Sequence, residues 1–324
     1  MSTGARCIGL DDIRAAAERI APHVRRTPAL GSAALSELAG RTVIAKCETM
    51  QRTGSFKIRG ATNAVRLLGE AEARRGVVTH SSGNHALALA TAARARGIPA
   101  HVVMPVDASE VKRRAVLAAG ATVHGCGPTA AERAAACDAV ARETGASVVP
   151  PYDHPHVIAG QGTVGLEIAE QVPEAATVVV PVGGGGLIGG ISVALRAHRP
   201  GIRIVGAEPA LADDAAESRR TGRIAPQRPP VSIADGLRAP LGVLTFPLVR
   251  DLVDDIVVVD EGAIVDAMRF AFEQAALVVE PSAAVGLAAL ASGRCGGDAS
   301  RAAVVVLCGA NVDLERLPWL ATSR

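Results

Sequence analysis

Several short stretches of this 324-residue chain hold residue types that could do chemistry. The densest is Pro181-Val182-Gly183-Gly184-Gly185-Gly186-Leu187-Ile188-Gly189, set between an apolar β-branched run and an apolar helical pattern. Glycines let backbone N–H groups approach an anion, and the N-terminus of the following helix adds the positive end of its dipole. A tight turn needs one or two glycines; four in succession point to a phosphate cradle. Gly184, Gly186 and Gly189 also satisfy G-x-G-x-x-G by letter, and Glu208 ends the next strand where a ribose-binding acid would fall. On this run alone a dinucleotide site stays open. A Walker A loop is excluded, because no Gly-Lys-Ser/Thr follows.

Lys57 lies in Gly54-Ser55-Phe56-Lys57-Ile58-Arg59-Gly60, at an expected helix start and between two apolar side chains. Desolvation and the helix dipole both lower the pKa of an amine placed there. An unperturbed lysine, with a pKa near 10.4, is neutral in only about one molecule in 2,500 at pH 7. Nucleophilic or Schiff-base chemistry needs that neutral form. Ser81-Ser82-Gly83-Asn84-His85 stands where a strand ends and a helix begins, the place where parallel sheets put ligands. Hydroxyls, an amide and free helix N–H groups can hold a carboxylate there, although an ordinary helix cap has the same letters. His80 and His85 do not make a metal pair at helical spacing. Glu208, Asp213 and Asp214 place hard oxygen ligands in one loop, suited to a divalent or monovalent cation. Cys308 ends an apolar run in Leu307-Cys308-Gly309-Ala310-Asn311, where most cysteines only pack.

The elements that must carry these residues follow from periodicity. Asp11 and Asp12 precede a helical run, and residues 41–48 read as a strand. A helix is expected from about Phe56 to Leu68. Between Gly76 and Pro151 strands such as GVVTHSS and IPAHVVMP alternate with helical patterns of 12 to 17 residues, the signature of a parallel sheet with crossover helices. A second series follows: a helix in 158–172, strands in 177–182 and 202–208, a helix in 187–198, a strand in 255–260, helices at 261–275 and 282–292, and a last strand in 301–309. Residues 211–241 look irregular. The expected fold is α/β and two-lobed, each lobe an open, mostly parallel twisted sheet flanked by helices. Residues 1–70 and 151–324 would form a large cofactor-binding domain, and 71–150 a small substrate-side domain.

Composition narrows the partners. With 34 Lys+Arg against 32 Asp+Glu, one Trp and one Tyr, the chain lacks a phosphate-neutralising surplus and a base-stacking platform, so nucleic acid is not expected. At 49% hydrophobic residues disorder is excluded. The uncharged stretch from Ala175 to Leu195 is long enough to span a bilayer, but Pro181 and six glycines point instead to strand, loop and helix. Six cysteines without a CxxC pair, and an N-terminus without an apolar h-region, lead us to expect a reducing, cytoplasmic compartment.

Together, Ser55-Phe56-Lys57-Ile58-Arg59-Gly60-Ala61, Ser81 to His85, Gly183 to Gly186 and Cys308-Gly309-Ala310-Asn311 resemble the β-family, or fold type II, of pyridoxal 5′-phosphate enzymes. The nearest group is the threonine/serine dehydratases and serine racemases, and the likeness runs from about Asp11 to Asp313. Cysteine synthases typically read Ser-Val-Lys-Asp-Arg around their lysine; Ser-Phe-Lys-Ile-Arg-Gly fits dehydratases better. The resemblance implies that Lys57 carries the cofactor as a Schiff base and later shuttles a proton. Phe56 would pack on the cofactor ring, Asn84 would bond its hydroxyl, and Cys308 would face its nitrogen. Gly183, Gly184, Gly185, Gly186 and Leu187 would bind its phosphate. Ser81, Ser82, Gly83, Asn84 and His85 would hold the substrate carboxylate, and Ser82 would act on the opposite ring face in racemisation. Glu208, the Ala212 carbonyl and Asp214 match a site for Mg²⁺ or another cation.

The implied activity is an ammonia-lyase that eliminates water from L-threonine or L-serine to give a 2-oxo acid and ammonia. Serine racemase, or a dehydratase for 3-hydroxyaspartate or another specialised hydroxy amino acid, is the alternative. A NAD-binding oxidoreductase is a distant one, since it leaves Lys57 and the serine cluster unexplained. The chain ends soon after Asp313, so a C-terminal regulatory domain is not expected. The resemblance also implies a homodimer acting on a small amino acid.

Overall fold

The computed structural model describes residues 7–81, 83–106, 108, 110–226, 229 and 231–320. Among them ten strands run in chain order: β1 Ala29–Gly31, β2 Val43–Cys47, β3 Val77–His80, β4 Ala100–Pro105, β5 Thr122–Cys126, β6 Ser147–Val148, β7 Thr177–Pro181, β8 Arg203–Pro209, β9 Asp255–Val259 and β10 Ala303–Leu307. They make a six-stranded sheet, ordered β1-β2-β10-β7-β8-β9, and a four-stranded sheet, ordered β5-β4-β3-β6. Only the edge pair β1–β2 is antiparallel; the other pairings are parallel. The fold is the expected α/β arrangement of parallel sheets flanked by helices.

The patterns explain why. β7 (Thr-Val-Val-Val-Pro) and β10 (Ala-Val-Val-Val-Leu) show no polar alternation, and every one of their residues is buried, because helices cover both faces of the sheet. The larger sheet takes its strands from both sides of the smaller one in sequence. Among the described residues the buried apolar side chains form four clusters, the largest within the six-stranded sheet and its helices. The second gathers Ile58, Ala61, Ala64 and Val65 from the helix Lys57–Leu67 against Val77, Ala86, Leu89 and Val102.

Some expectations need correction. The first helix is Leu10–Ile20, with Gly9 as its N-cap. Asp11 and Asp12 lie inside its first turn, and the Asp12 carboxylate accepts the Gly9 N–H at 2.7 Å. The irregular 211–241 stretch contains the helix Asp214–Thr221 and a 3₁₀ turn at Asp235–Leu237. The short helices Ala33–Ala39, Glu70–Arg75 and Thr245–Leu252 escaped the periodicity reading, because such helices depend on tertiary packing. The uncharged Ala175–Leu195 stretch is β7, a loop and the start of the helix Gly186–His198. Among the described residues no helix is long and apolar enough to cross a membrane. All six cysteines are free.

Candidate active site

The four motifs that carry the resemblance each follow the C-terminal end of a strand. β2 leads through a short turn to Lys57, β3 to Ser81–His85, β7 to the glycine run and β10 to Cys308. β2, β7 and β10 belong to the six-stranded sheet and β3 to the four-stranded one; the loops that leave the C-terminal ends of both surround a cavity of about 600 Å³. Phe56, Lys57, Ser81, Gly83, Asn84, His85, Gly183 to Leu187 and Cys308 all line it. Ser82 lies outside the described residues.

Lys57 is the first residue of the helix Lys57–Leu67. Its Nζ donates to the Pro151 carbonyl at 2.7 Å and lies 5.1 Å from the centroid of the Phe56 ring. Burial lowers its pKa to about 8, while the nearby Cys308 and Glu280 pull the other way. Two residues on, Arg59 is fully buried but meets carboxylates: Glu48 at 2.8 Å and Glu167 at 2.7 Å. Lys46 joins the same cluster, reaching Glu167 at 2.5 Å and the Thr27 carbonyl at 2.7 Å. This buried network clamps the start of the lysine's helix to the turn Glu48–Met50 and to the helix Pro155–Gln171.

The glycine run is completely buried and opens the helix Gly186–His198. Gly185, its N-cap, has φ 82°, a left-handed conformation that disfavours side chains. Gly184 lies against Tyr152, whose ring carbons would come within 2.4 Å of a Cβ there. Thr245 Oγ1 donates to the Gly184 carbonyl at 2.7 Å. The Asp153 carboxylate accepts the backbone N–H groups of Val243, Leu244 and Thr245. The loop is thus braced from two neighbouring segments, neither of which the sequence motifs pointed to.

On the opposite wall, Asn84 Nδ2 donates to both carboxylate oxygens of Glu280, at 2.8 and 3.0 Å. Asn84 Oδ1 accepts from Asn311 Nδ2 at 2.8 Å. Burial raises the Glu280 pKa to about 7 and that of Cys308 well above its ordinary value. His85 Nε2 contacts the Val149 carbonyl at 2.9 Å, so Nε2 carries the proton. Burial, aided by the Lys57 charge, drops the His85 pKa to about 3, and the ring is neutral. Ser81 accepts the Gly83 N–H at 3.3 Å, just before the helix Asn84–Arg96. Two more residues sit at the rim: Lys112 forms an ion pair with Asp235 at 2.5 Å, and Arg133 lines the wall beside His80.

Sequence reasoning missed Glu280, Asn311's clamp, Tyr152, Asp153 and Arg133. A glutamate directly before Pro281 at the head of an apolar helix was the one available signal for Glu280. The cation residues lie apart from this cavity's lining. Both Glu208 oxygens accept backbone N–H groups, from Ala215 and Ala216 at 2.8 Å each. Burial raises the Glu208 pKa to about 8, and the charges of Asp214 and Asp213 add to that. Among the described residues no group of three or more His, Cys, Asp or Glu side chains is placed to hold a metal ion.

Known proteins resemble this chain in sequence and in fold. Residues 20–309 match the family of pyridoxal-phosphate dependent enzymes. A serine racemase of Oryza sativa subsp. indica is 47% identical over 310 residues, covering 94% of this chain and 91% of its own length. A beta-hydroxyaspartate dehydratase of Paracoccus denitrificans is 45% identical over 95% of this chain and 98% of its own. The crystal structure of a T.th. threonine deaminase superposes with a TM-score of 0.90 at 41% identity, covering 95% of this chain and 99% of that one. The chain therefore belongs to the pyridoxal-phosphate dependent enzymes.

Proposed function

We propose that this chain is an ammonia-lyase that uses pyridoxal 5′-phosphate to remove water from L-threonine or L-serine, giving a 2-oxo acid and ammonia. The observation that carries the proposal is the buried Lys57 amine, its pKa near 8, in one cavity with a braced glycine loop and the Cys308 thiol. These residues fit the cofactor. The loop and helix N-terminus suit a phosphate, and a desolvated amine suits an aldehyde. When bound, pyridoxal 5′-phosphate supplies an electron sink for charge that develops at the substrate α-carbon.

The chain's residues do the rest. Ser81, Gly83 and the N-terminus of the helix Asn84–Arg96 hold the substrate carboxylate. Neutral Lys57, once displaced, takes the proton from the α-carbon as general base. The β-hydroxyl leaves as water, with the proton that Lys57 removed returned to the leaving oxygen, and the released enamine hydrolyses to the oxo acid and ammonia. Cys308 stays a neutral thiol because burial opposes its ionisation. A neutral thiol cannot hold a pyridine nitrogen protonated as a carboxylate does. Charge at the α-carbon is then less delocalised, which favours prompt loss of the β-hydroxyl.

Two observations support a second reading. The rice relative is a serine racemase, which fits Ser82 acting on the opposite face. Arg133 lines the cavity without a carboxylate partner among the described residues, which suits a substrate bearing a second carboxylate such as 3-hydroxyaspartate. Glu208, the Ala212 carbonyl and Asp214 would supply the oxygen donors for Mg²⁺ or another hard cation. A cytoplasmic homodimer completes the proposal, supported by the six free cysteines for the compartment and by the family resemblance for the dimer.

The test is an ammonia-release screen of both enantiomers of serine and threonine and of the 3-hydroxyaspartates, with a chiral assay for D-serine. Release from L-serine and L-threonine above the rest supports the lyase. D-serine formation outpacing ammonia release replaces it with the racemase, and selective release from 3-hydroxyaspartate with the third substrate. Lys57→Ala must abolish both the borohydride-sensitive yellow colour and turnover.

A further inference from the structure

Glu280 lines the cavity at 5% exposure, and no step above uses it. The Asn84 Nδ2 that faces it carries two N–H bonds, which diverge widely. The two oxygens of one carboxylate subtend a much smaller angle, so a single N–H of Asn84 is shared between them. The other points elsewhere, in a residue that lines the cavity. Asn311 closes the arrangement from the far side. Its Nδ2 donates to Asn84 Oδ1, and its backbone N–H donates to Glu280 Oε2 at 3.2 Å. With a carboxylate at its nitrogen and a donor at its oxygen, the Asn84 amide has only one satisfied orientation.

We propose that Glu280 and Asn311 are positioning residues: together they lock the Asn84 amide so that one N–H stays free for an oxygen of the bound cofactor. The proposal rests on the cofactor reading above. It carries an electrostatic corollary. Glu280 raises the proton affinity of the Lys57 nitrogen, and Cys308 acts in the same sense. The charges that face Glu280 itself are Asp235, which opposes its ionisation, and Lys112, which favours it. These two are already paired with each other, so Glu280 is the carboxylate that the Lys57 nitrogen feels.

The experiment compares wild-type, Glu280→Gln and Asn311→Ala holoenzymes by cofactor dissociation constant and by pH titration of the cofactor's visible band. Glu280→Gln removes the charge and sets an amide against the Asn84 amide. We expect its spectral midpoint to fall by about half a unit or more, with weaker cofactor binding. Asn311→Ala keeps the charge and frees the Asn84 oxygen, so the midpoint should stay while the dissociation constant rises several-fold. A variant that melts earlier yet keeps the wild-type midpoint and affinity has lost only structure, and that result overturns the proposal. If Glu280→Gln does not fold, unchanged affinity in Asn311→Ala overturns it equally. Wild-type protein that takes up no borohydride-sensitive colour overturns the cofactor reading itself, and this inference with it.

Discussion

The pH dependence of cofactor capture follows from the burial of one amine. With a pKa near 8, Lys57 is neutral in roughly one molecule in ten at pH 7. An ordinary lysine, near 10.4, is neutral in about one in 2,500, so burial raises the reactive fraction by roughly two orders of magnitude. Only the neutral amine attacks an aldehyde. Capture of pyridoxal 5′-phosphate by cofactor-free protein should therefore accelerate about tenfold per unit from pH 6 to 7 and level off above 8. Stopped-flow growth of the visible band, at constant ionic strength, reads this directly. The cofactor has ionisations of its own, so each rate is divided by that of Nα-acetyllysine under the same conditions. The ratio should be constant and largest below about pH 7, and fall above pH 8, where Lys57 is already neutral while the reference amine is still losing its proton. A capture profile that still climbs tenfold per unit through pH 9 would refute the argument, because Lys57 would then behave as a solvated lysine. The sign also carries over to stability. Between pH 8 and about 10.4 the unfolded chain binds the proton that the folded site rejects, so cofactor-free protein should grow more stable with rising pH there.

Three further outcomes test the surroundings of the site. Gly184→Ala places a methyl group 2.4 Å from the Tyr152 ring; it should cost about 1–3 kcal/mol in urea denaturation and weaken cofactor binding, and adding Tyr152→Ala should restore part of the binding. Millimolar Mg²⁺ should raise the melting temperature of the wild-type protein by binding the ionised form of Glu208, most strongly above pH 8, and Asp214→Asn should weaken that response. Ala276 sits at φ 52°, where a Cβ is strained, so Ala276→Gly should stabilise by about 0.5–1 kcal/mol in thermal melts.

The chemistry-bearing groups were legible because each sits in a short local motif at a strand's end. Periodicity located β3 and β7, and the glycine letters and the Ser81–His85 cluster then fell where a parallel sheet places its loops. Their partners were not legible, because those come from distant sequence. Glu280 is 196 residues from Asn84, and Glu167 is 108 residues from Arg59. No spacing rule links such positions; only the order of strands in the sheet does. The helix Asp214–Thr221 was hidden for a related reason. Its sequence is polar, and it depends on Glu208, at the end of β8, to satisfy its first N–H groups.

Lys57 and Arg59 show how far that distant sequence decides chemistry. Both lie in the first turn of one helix, Arg59 fully buried and Lys57 partly so, and desolvation opposes the charge of each. Arg59 meets Glu48 and Glu167 in direct ion pairs, and its charge is held more firmly than in water. Lys57 meets a carbonyl, a thiol and, farther off, the Glu280 carboxylate, and desolvation prevails. A fixed cation therefore anchors the helix, while two residues away desolvation yields an amine that can give up its proton near neutral pH. What separates the anchor from the reactive group is the placement of two glutamates contributed by other segments, and not the heptapeptide that contains both cations.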